Sequence, residues 1–294
     1  MEAPQNMIMK VRTMNKTKSR ISVKNYVLII LEKMLQILVL LFVLFPIVWI
    51  ILTAFKSSTD AYSTSLLFKP TLDNFRTIIA PPYSVGPLFR NSIIISFATV
   101  GIAIPLAVMA SYVFSRYKFK GSNSLLVYIL MTQFIPAVVI VMPFYMLFRN
   151  LGMLDTKAAL ITVNLSVALP YAIWLLKGFV DALPKEIEEA ALIDGCTQLQ
   201  MLRHVVFPLI APGAITTAGF VFVGAWNEFL YAMILSRTTS SMTLTIGLMN
   251  TLGPRGVIWE YMSAVGLLVM IPVFLLSLTI RKHFVQGLTM GGVK

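Results

Sequence analysis

Charged residues are scarce in this sequence. Of its 294 residues, 12% are Asp, Glu, Lys or Arg, whereas 57% are apolar. Soluble domains usually hold about 25% charged residues and about 45–50% apolar residues. The mean hydropathy of +0.83 departs from a soluble composition in the same direction. This composition excludes a soluble globular enzyme and a disordered chain, and it predicts an integral membrane protein.

Residues that build disulfides, metal sites and nucleotide sites are nearly absent. Because Cys196 is the single cysteine, no disulfide can form within the chain. His204 and His283 are the only histidines, and neither has a cysteine or carboxylate at metal-ligand spacing. The phosphate-binding pattern G-x-x-x-x-G-K-S/T does not occur. We therefore expect no metal site, no catalytic residues and no cofactor bound by this chain.

Acidic residues are fewer than basic ones. The sequence holds 12 Asp and Glu against 24 Lys and Arg, which gives a net charge of +12. Such a surplus can indicate a nucleic-acid partner. However, seven of the basic residues lie in the first 33 positions, beside an apolar segment. Positive charge at that place sets the orientation of a membrane helix, so we expect a lipid bilayer as partner and no nucleic acid.

Six apolar segments are long enough to cross about 30 Å of hydrocarbon, which takes roughly 20 helical residues. The first segment is long and no small-residue cleavage site follows it, so we expect a retained helix rather than a signal peptide. The chain then divides into an N-terminal arm (1–33), a transmembrane domain (34–280) and a C-terminal tail (281–294). The six predicted spans are Met34–Phe55, Asn91–Phe114, Ser124–Phe148, Ala158–Leu176, Gly213–Leu235 and Met262–Ile280.

The distribution of basic residues predicts the orientation of these spans. If the N-terminus lies in the cytoplasm, the cytoplasmic segments hold 16 Lys and Arg and the external segments hold 8. The short second connection contributes Arg116, Lys118 and Lys120 to the cytoplasmic side. Because basic loops stay in the cytoplasm, both termini are expected there.

The connection between the fourth and fifth spans, residues 177–212, is unusually acidic. Basic cytoplasmic loops are the rule, so this loop is expected to have a purpose beyond connecting two spans. It contains five of the 12 acidic residues of the chain: Asp181, Glu186, Glu188, Glu189 and Asp194.

Two short helices are predicted inside this acidic loop. Pro184 suits the first turn of a helix, and Gly195 suits its end. Ile187, Ala190, Ala191 and Asp194 recur at helical spacing and are expected to share one face. A surface helix lying on the membrane would show the same pattern, and composition alone does not separate this alternative from a partner-binding helix.

The second of these helices starts at a capping box. Thr197 and Gln200 have the spacing at which each side chain can bond to the other's backbone N–H. The helix is expected to end before Pro208, with Leu199, Leu202 and Val206 on one side.

The spacing of the loop resembles a known family motif. Glu189-Ala190-Ala191, three residues, Gly195, nine residues and Val205-Val206-Phe207-Pro208 are similar to the E-A-A-x3-G-x9-I-x-L-P motif of ABC importer permeases. Val205 and Phe207 depart from that motif, with one apolar residue replacing another. The resemblance implies a loop that couples the permease to an ATPase. The implied coupling residues are Glu188, Glu189, Ala190, Ala191, Asp194, Gly195 and Pro208.

Two further stretches resemble the smaller permease subunit of maltose-type sugar importers. They are Trp226-Asn227-Glu228-Phe229 and the last eight residues, Gly287 to Lys294. The resemblance implies an all-α, six-helix transmembrane bundle with a two-helix cytoplasmic coupling loop, in a bacterial cytoplasmic membrane. It also implies a non-catalytic subunit, with an ATPase contact in the tail at Gly287, Gly291 and Gly292.

The resemblance further implies the composition of the complete transporter. A second permease subunit would form a heterodimer with this chain. Two ATPase subunits would bind ATP and Mg²⁺, and an extracytoplasmic substrate-binding protein would deliver a sugar or oligosaccharide.

A few polar residues fall inside the predicted spans. An intramembrane carboxylate is costly, so Glu228 is expected to face a cavity, a gate or a partner. Gln133 and Asn164 are further polar residues in spans, and inter-helix hydrogen bonding is an alternative role for both. Sugars bind amides, carboxylates and aromatic faces. The candidate pathway residues are therefore Gln133, Asn164, Trp226, Asn227 and Glu228, with Phe134 and Tyr171 as further suitable aromatics.

Two other functions are alternatives to the importer. An ion-coupled secondary transporter could use Glu228 as its titrating group, but the spans contain no second acid or base and no visible inverted repeat. An intramembrane enzyme would need a paired acid, a nucleophile with a base, or a metal constellation. The spans contain none of these combinations.

Overall fold

The computed structural model describes residues 23–253 and 256–290. The chain divides into two units, Met1–Trp49 and Ile50–Lys294, and each is described by itself. Helix α1, Val23–Ala54, supplies the described part of the first unit and continues into the second. A helix of this length extends about 48 Å, more than the roughly 30 Å of hydrocarbon. The predicted N-terminal arm is thus already helical from Val23.

The rest of the described chain is helical except for a two-stranded hairpin and connecting loops. The strands β1, Leu252–Gly253, and β2, Gly256–Val257, are antiparallel, with Leu252 opposite Val257. The helices after α1 are α2 (Asp73–Ile79), α3 (Val85–Arg116), α4 (Ser122–Met131), α5 (Ala137–Asn150), α6 (Lys157–Asp181), α7 (Lys185–Ile193), α8 (Gln198–Met201), α9 (Phe207–Asn227), α10 (Leu230–Leu235), α11 (Leu244–Met249) and α12 (Trp259–Met290). Short 3-10 helices occupy Asp60–Tyr62 and Thr132–Phe134.

Five helical segments of the described chain are long and apolar enough to cross a membrane. A sixth span results only if the bent pair Ser122–Phe134 and Ala137–Asn150 is one span. The all-α membrane fold is therefore confirmed. The five segments are Tyr26–Ala54, Val85–Arg116, Lys157–Asp181, Gln198–Asn227 and Trp259–Arg281.

The third predicted span, Ser124–Phe148, is wrong as a single straight helix. Its two halves meet at an angle of 97°. Pro136 has no backbone donor, and a residue before proline avoids the helical region. Accordingly, Ile135 has an extended backbone with ψ of 121° and ends the first half.

Helices α3, α6 and α9 form the centre of the bundle. Small buried residues line their contacts, so the backbones can approach closely. Gly213 of α9 lies against Phe179 of α6, where an added Cβ would overlap the aromatic ring. The buried small residues include Ala103 and Ala107 of α3, Ala168 and Ala172 of α6, and Ala214 of α9.

Asp155 organises the end of the bundle at which α6 begins. Its carboxylate accepts hydrogen bonds from the Ser241 hydroxyl at 2.6 Å and from the Thr238 hydroxyl at 2.6 Å. It also accepts backbone N–H bonds from Arg237 at 2.9 Å and Thr238 at 3.0 Å. Burial works to raise the pKa of this carboxyl, but these hydrogen bonds lower the pKa well below its usual range.

Candidate functional site

The acidic loop lies at the other end of α6, and its bounds differ from the prediction. Helix α6 continues to Asp181, so the connection starts at Ala182 rather than at residue 177. Helix α7 begins at Lys185, with Pro184 at its N-cap position. Glu186 and Glu188 lie in its first turn, where negative charge is favourable to the helix dipole.

Gly195 ends α7, as the sequence predicts. Its φ of +86° lies in the left-handed region, which glycine adopts without steric cost. The Gly195 N–H bonds to the Leu192 carbonyl and the Cys196 N–H bonds to the Ala191 carbonyl, each at 3.1 Å. This pattern is a Schellman cap, which satisfies the last carbonyls of the helix.

Thr197 opens the next helix with a capping box, and this prediction is also confirmed. The Thr197 hydroxyl accepts the Gln200 N–H at 3.3 Å, and the Gln200 side chain accepts the Thr197 N–H at 2.9 Å. The two caps fix both sides of the short connection between α7 and α8.

One face of α7 is buried against α3. Glu188 is 6% exposed and Ala191 is 8% exposed. The Glu188 carboxylate forms an ion pair with Arg116 at 2.6 Å and accepts the Tyr112 hydroxyl at 3.0 Å. Glu188 therefore has its partners inside this chain.

The other face of α7 is exposed and mixed in character. Glu189, Ala190 and Asp194 are exposed, and Ile193 is 85% exposed. The prediction of a single shared face is wrong at Ala191, because the buried side of the helix includes this residue. The exposed face keeps the glutamate and first alanine of the motif available to a partner.

The second loop helix does not end before Pro208, so that prediction is wrong. Residues Leu202–Val206 form a π-turn that joins α8 to α9, and the helical run continues from Gln198 to Asn227. In the π-turn, the Phe207 N–H bonds to the Leu202 carbonyl. The wider turn shifts the register just before Pro208, which cannot donate.

The π-turn also changes which side chains of this segment are buried. Met201 and Val206 are fully buried, five residues apart. Leu199, by contrast, is 67% exposed, although the sequence predicts it on the same side as Val206. In a π-turn the backbone hydrogen bond joins residues i and i+5 rather than i and i+4. The spacing of buried side chains therefore departs here from the ordinary helical period.

Gln133 and Asn164 occupy different environments. Gln133 lies at the break between α4 and α5, is exposed, and donates to the Val167 carbonyl of α6 at 3.1 Å. Phe134 beside it is 85% exposed. Asn164 is 7% exposed and donates to the Leu160 carbonyl of its own helix at 2.8 Å. Asn164 thus has a partner within α6.

The predicted fifth span ends earlier than Leu235, since α9 stops at Asn227. Trp226 is 1% exposed, donates to the Val269 carbonyl at 3.0 Å and stacks on Phe222. It therefore packs α9 against α12. Asn227 is exposed at the helix end.

Glu228 lies at the break after α9 and caps α10. Its carboxylate accepts the backbone N–H of Tyr231 at 2.6 Å and of Ala232 at 2.9 Å. Its carbonyl accepts the Thr245 hydroxyl at 2.8 Å. Gln133, Asn164, Trp226 and Glu228 thus bond to four different parts of this chain.

The predicted tail is partly helical, because α12 extends to Met290 and includes Gly287. Gly291 and Gly292 lie outside the described residues.

The sequence does not single out Arg116 and Tyr112, the two side chains that bond to the Glu188 carboxylate. In the sequence, Arg116 contributes only to the charge distribution that predicts the orientation of the spans. A basic residue at the end of α3, on the same predicted side as five acidic residues, is the signal that could have identified it. The specific partner, Glu188, lies 72 positions away in the sequence.

Comparison with known proteins identifies the family of this chain. Residues 103–290 match the family described as "Binding-protein-dependent transport system inner membrane component". The chain belongs to this family. Its predicted identity as a permease subunit of a binding-protein-dependent ABC importer is thereby confirmed. Family membership also favours this importer over the ion-coupled and enzymatic alternatives.

Three curated relatives match this permease over at least 90% of their own length. It is 36% identical over 253 residues to "Probable ABC transporter permease protein y4oR" of Sinorhizobium fredii, covering 85% of this chain and 90% of the relative. It is 34% identical over 253 residues to "Diacetylchitobiose uptake system permease protein DasC" of Streptomyces coelicolor, covering 85% and 91%. It is 30% identical over 261 residues to "Trehalose/maltose transport system permease protein MalG" of Thermococcus litoralis, covering 88% and 94%.

A solved structure shares the fold of the permease. A chain of a bacterial ABC transporter involved in the import of the acidic polysaccharide alginate matches with a TM-score of 0.77. The identity is 21%, and the match covers 90% of this chain and 98% of that chain.

Proposed function

We propose that this permease is the smaller permease subunit of an importer for sugars or oligosaccharides. The names of DasC and MalG give diacetylchitobiose and trehalose or maltose as the substrates of those relatives. The Trp226-Asn227-Glu228-Phe229 and C-terminal stretches support the same substrate class. The permease moves its substrate across the bacterial cytoplasmic membrane, with both termini in the cytoplasm.

The remaining subunits of the proposed importer follow from the same assignment. A second permease pairs with this chain as a heterodimer. Two ATPase subunits hold ATP and Mg²⁺, and an extracytoplasmic binding protein delivers the sugar. The cytoplasmic location of α7 is supported by Arg116, Lys118 and Lys120, which lie at the end of α3 that contacts α7.

The observation that carries this proposal is the exposed face of α7. A helix that is buried on one face, capped at its end and exposed on the other face offers a rigid surface to a partner. Ala190 has a small side chain, so a partner can approach the backbone closely there. Glu189, Ala190 and Asp194 therefore form the ATPase contact, while Gly195 and Pro208 shape the loop that presents them.

For the substrate pathway, we propose Gln133, Asn227 and Glu228. Gln133 and Asn227 are exposed at helix breaks. Irregular backbone at membrane depth is tolerated where it is covered by protein or lines a cavity. Asn164 and Trp226 are only 7% and 1% exposed, and we assign them to the packing of the bundle.

We also propose that the tail around Gly287, Gly291 and Gly292 contacts the ATPase. Deletion of residues 287–294 should lower ATPase activity coupled to uptake without changing the amount of permease in the membrane. An unchanged coupled activity would contradict this contact.

Cysteine crosslinking tests the ATPase contact on α7. In a Cys196→Ala background, Ala190→Cys places a thiol on the exposed face, and Ala191→Cys places it on the buried face. A maleimide that carries a photoreactive benzophenone bonds to the introduced thiol and, on illumination, to C–H bonds of a nearby protein. It should join Ala190→Cys to the ATPase subunit in membranes and leave Ala191→Cys unjoined. If soluble maleimide modifies Ala190→Cys equally with and without the ATPase, the proposed contact is wrong.

Purification of the whole assembly tests the proposed importer. After extraction in mild detergent, we expect mass spectrometry to identify a second permease and an ATPase with this chain. A sugar-loaded binding protein should stimulate ATP hydrolysis by that assembly. A stable preparation that contains this chain alone and transports without ATP would overturn the proposal.

A further inference from the structure

A buried ion pair joins α7 to the end of α3. The side chain of Arg116 is 9% exposed and that of Glu188 is 8% exposed. The Arg116 Nε and Nη2 atoms lie 2.7 Å and 2.6 Å from the same Glu188 oxygen, Oε1. Charge-assisted bonds of this length are among the strong hydrogen bonds of proteins.

The pair is part of a network in which most polar atoms have a partner. The second Glu188 oxygen accepts the Tyr112 hydroxyl at 3.0 Å. The Arg116 guanidinium also donates to the Leu183 carbonyl at 2.9 Å and to the Ser115 hydroxyl at 3.3 Å. Through Leu183 and Glu188, α3 therefore holds both the segment that leads into α7 and α7 itself.

Two other ion pairs among the described residues differ from this one. Lys177 and Asp181 pair within α6 at 2.6 Å, with side-chain exposures of 22% and 44%. Arg76 and Asp73 pair within α2 and are 80% and 74% exposed. Exposed pairs within one helix contribute little. A buried pair between two helices fixes their relative position, because removing one partner leaves an uncompensated buried charge.

We propose that Arg116 is a positioning residue for ATP coupling, acting with Tyr112 to hold α7 on α3. This inference rests on the proposed function, in which α7 is the surface that the ATPase moves. The Arg116 side chain is 9% exposed, and it acts through α7 rather than by its own contact with substrate or ATPase. Because the network holds α7 on α3, a displacement of α7 also displaces α3, a helix at the centre of the bundle. Without the network, the same displacement would only bend the loop.

Charge exchange in the assembled transporter tests this role. Arg116→Glu and Glu188→Arg should each lower sugar uptake per ATP hydrolysed about tenfold or more, because each places like charges together in a buried site. The double exchange restores opposite charges, and we expect it to recover most of that loss, as coupled residues do in a double-mutant cycle. Single variants that couple normally, or a double variant no better than the single ones, would overturn the proposal.

Two tyrosine substitutions provide a matched control. Tyr112→Phe removes the buried hydroxyl that bonds to Glu188. Tyr117→Phe removes an exposed hydroxyl that bonds to Gln198 at 3.1 Å. Tyr112→Phe should lower uptake per ATP severalfold and Tyr117→Phe should leave it unchanged. Equal effects of the two substitutions would contradict a specific role for the network.

A distance measurement separates failure of this proposal from failure of the proposed function. Spin labels at Lys118→Cys and Ala190→Cys, in a Cys196→Ala background, report the position of α7 relative to the end of α3 without any partner or sugar. We expect a narrow distance distribution, which broadens with Arg116→Glu and narrows again in the double exchange. A distribution unaffected by Arg116→Glu would overturn the proposal even if ATP-driven uptake is found. A wild type without ATP-driven uptake would instead overturn the proposed function.

Discussion

The carboxylate of Glu228 accepts the backbone N–H of Tyr231 at 2.6 Å. A second bond, from Ala232 at 2.9 Å, engages the other carboxylate oxygen. Helix N-termini leave their first N–H groups without intrahelical partners, and Glu228 supplies two of the missing acceptors for α10. The charge thus has a local structural use at the break after α9, which an ion-coupled mechanism does not require.

Sugar uptake by Glu228 variants should therefore depend on the hydrogen bonds that residue 228 can accept rather than on its charge. Glu228→Gln keeps one carbonyl acceptor, and uptake should survive at a substantial fraction with little change in its pH dependence. Glu228→Leu leaves both N–H groups without this acceptor, each at a cost of about 1–3 kcal/mol, and should be far less active. Sugar uptake measured across a pH series checks this order. Glutamine and leucine variants that are equally inactive while inserted in the membrane would favour a titrating role.

The membrane fold and the helix caps at Gly195 and Thr197 could be predicted from the sequence because they depend on local features. Apolar length, the glycine at position 195 and the Thr197 capping box each act within a few residues. The burial of Glu188 could not be predicted in this way, since it depends on Arg116 in a distant helix.

The bend between α4 and α5 and the π-turn before α9 depend on how proline is accommodated. The sequence shows Pro136 and Pro208 but not the response of the backbone. At Pro136 the helix stops, whereas at Pro208 a wider turn lets it continue. A proline in the sequence is compatible with both outcomes, and the predicted helix end at Pro208 is wrong for that reason.

Gly195 and Gly121 offer a matched test of the loop between α7 and α8. Both have a left-handed φ, +86° and +85°, and neither has an atom within 4 Å of the position of an added Cβ. Alanine at either position should cost about 1–2 kcal/mol through the backbone alone. We expect Gly195→Ala to reduce uptake per ATP, because it strains the end of α7, the proposed ATPase contact. Gly121→Ala should leave uptake per ATP unchanged.

Gly195→Pro is a stronger test of the same position. Proline removes the N–H that bonds to Leu192 and cannot adopt a positive φ. We expect coupled uptake to be abolished while the permease remains in the membrane, as checked by immunoblot of the membrane fraction. Normal coupling in this variant would show that the loop is not the coupling element.

Asp155 should give the permease a pH-dependent stability. Because its folded pKa is lowered, the carboxylate contributes stability above its ordinary pKa of about 4. That contribution is lost as the pH falls from there towards the folded pKa. Asp155→Asn should lower the thermal unfolding midpoint at pH 7, and the difference from wild type should shrink below about pH 4.

Asp73→Asn is the control for Asp155, because the Asp73 side chain is 74% exposed. Its midpoint should match wild type at both pH values. A constant difference between Asp155→Asn and wild type across the series would contradict the role of the Asp155 charge.

Gly213 should be intolerant of a larger side chain. A Cβ there would overlap the ring of Phe179, and overpacking of this kind costs about 1–3 kcal/mol. Gly213→Ala should lower the thermal unfolding midpoint of the purified permease. Gly101→Ala in α3, where nothing lies within 4 Å, should leave the midpoint unchanged or raise it, since alanine favours a helix. A tolerated Gly213→Ala would contradict the close contact of α6 and α9.

Uptake into proteoliposomes is the most direct test of the proposed importer. The permease is reconstituted with its co-purified partners, and accumulation of a labelled oligosaccharide is measured with the loaded binding protein outside and ATP inside. We predict accumulation that requires both ATP and the binding protein and that persists when an uncoupler collapses the proton gradient. Accumulation driven by a proton or sodium gradient without ATP would contradict the account.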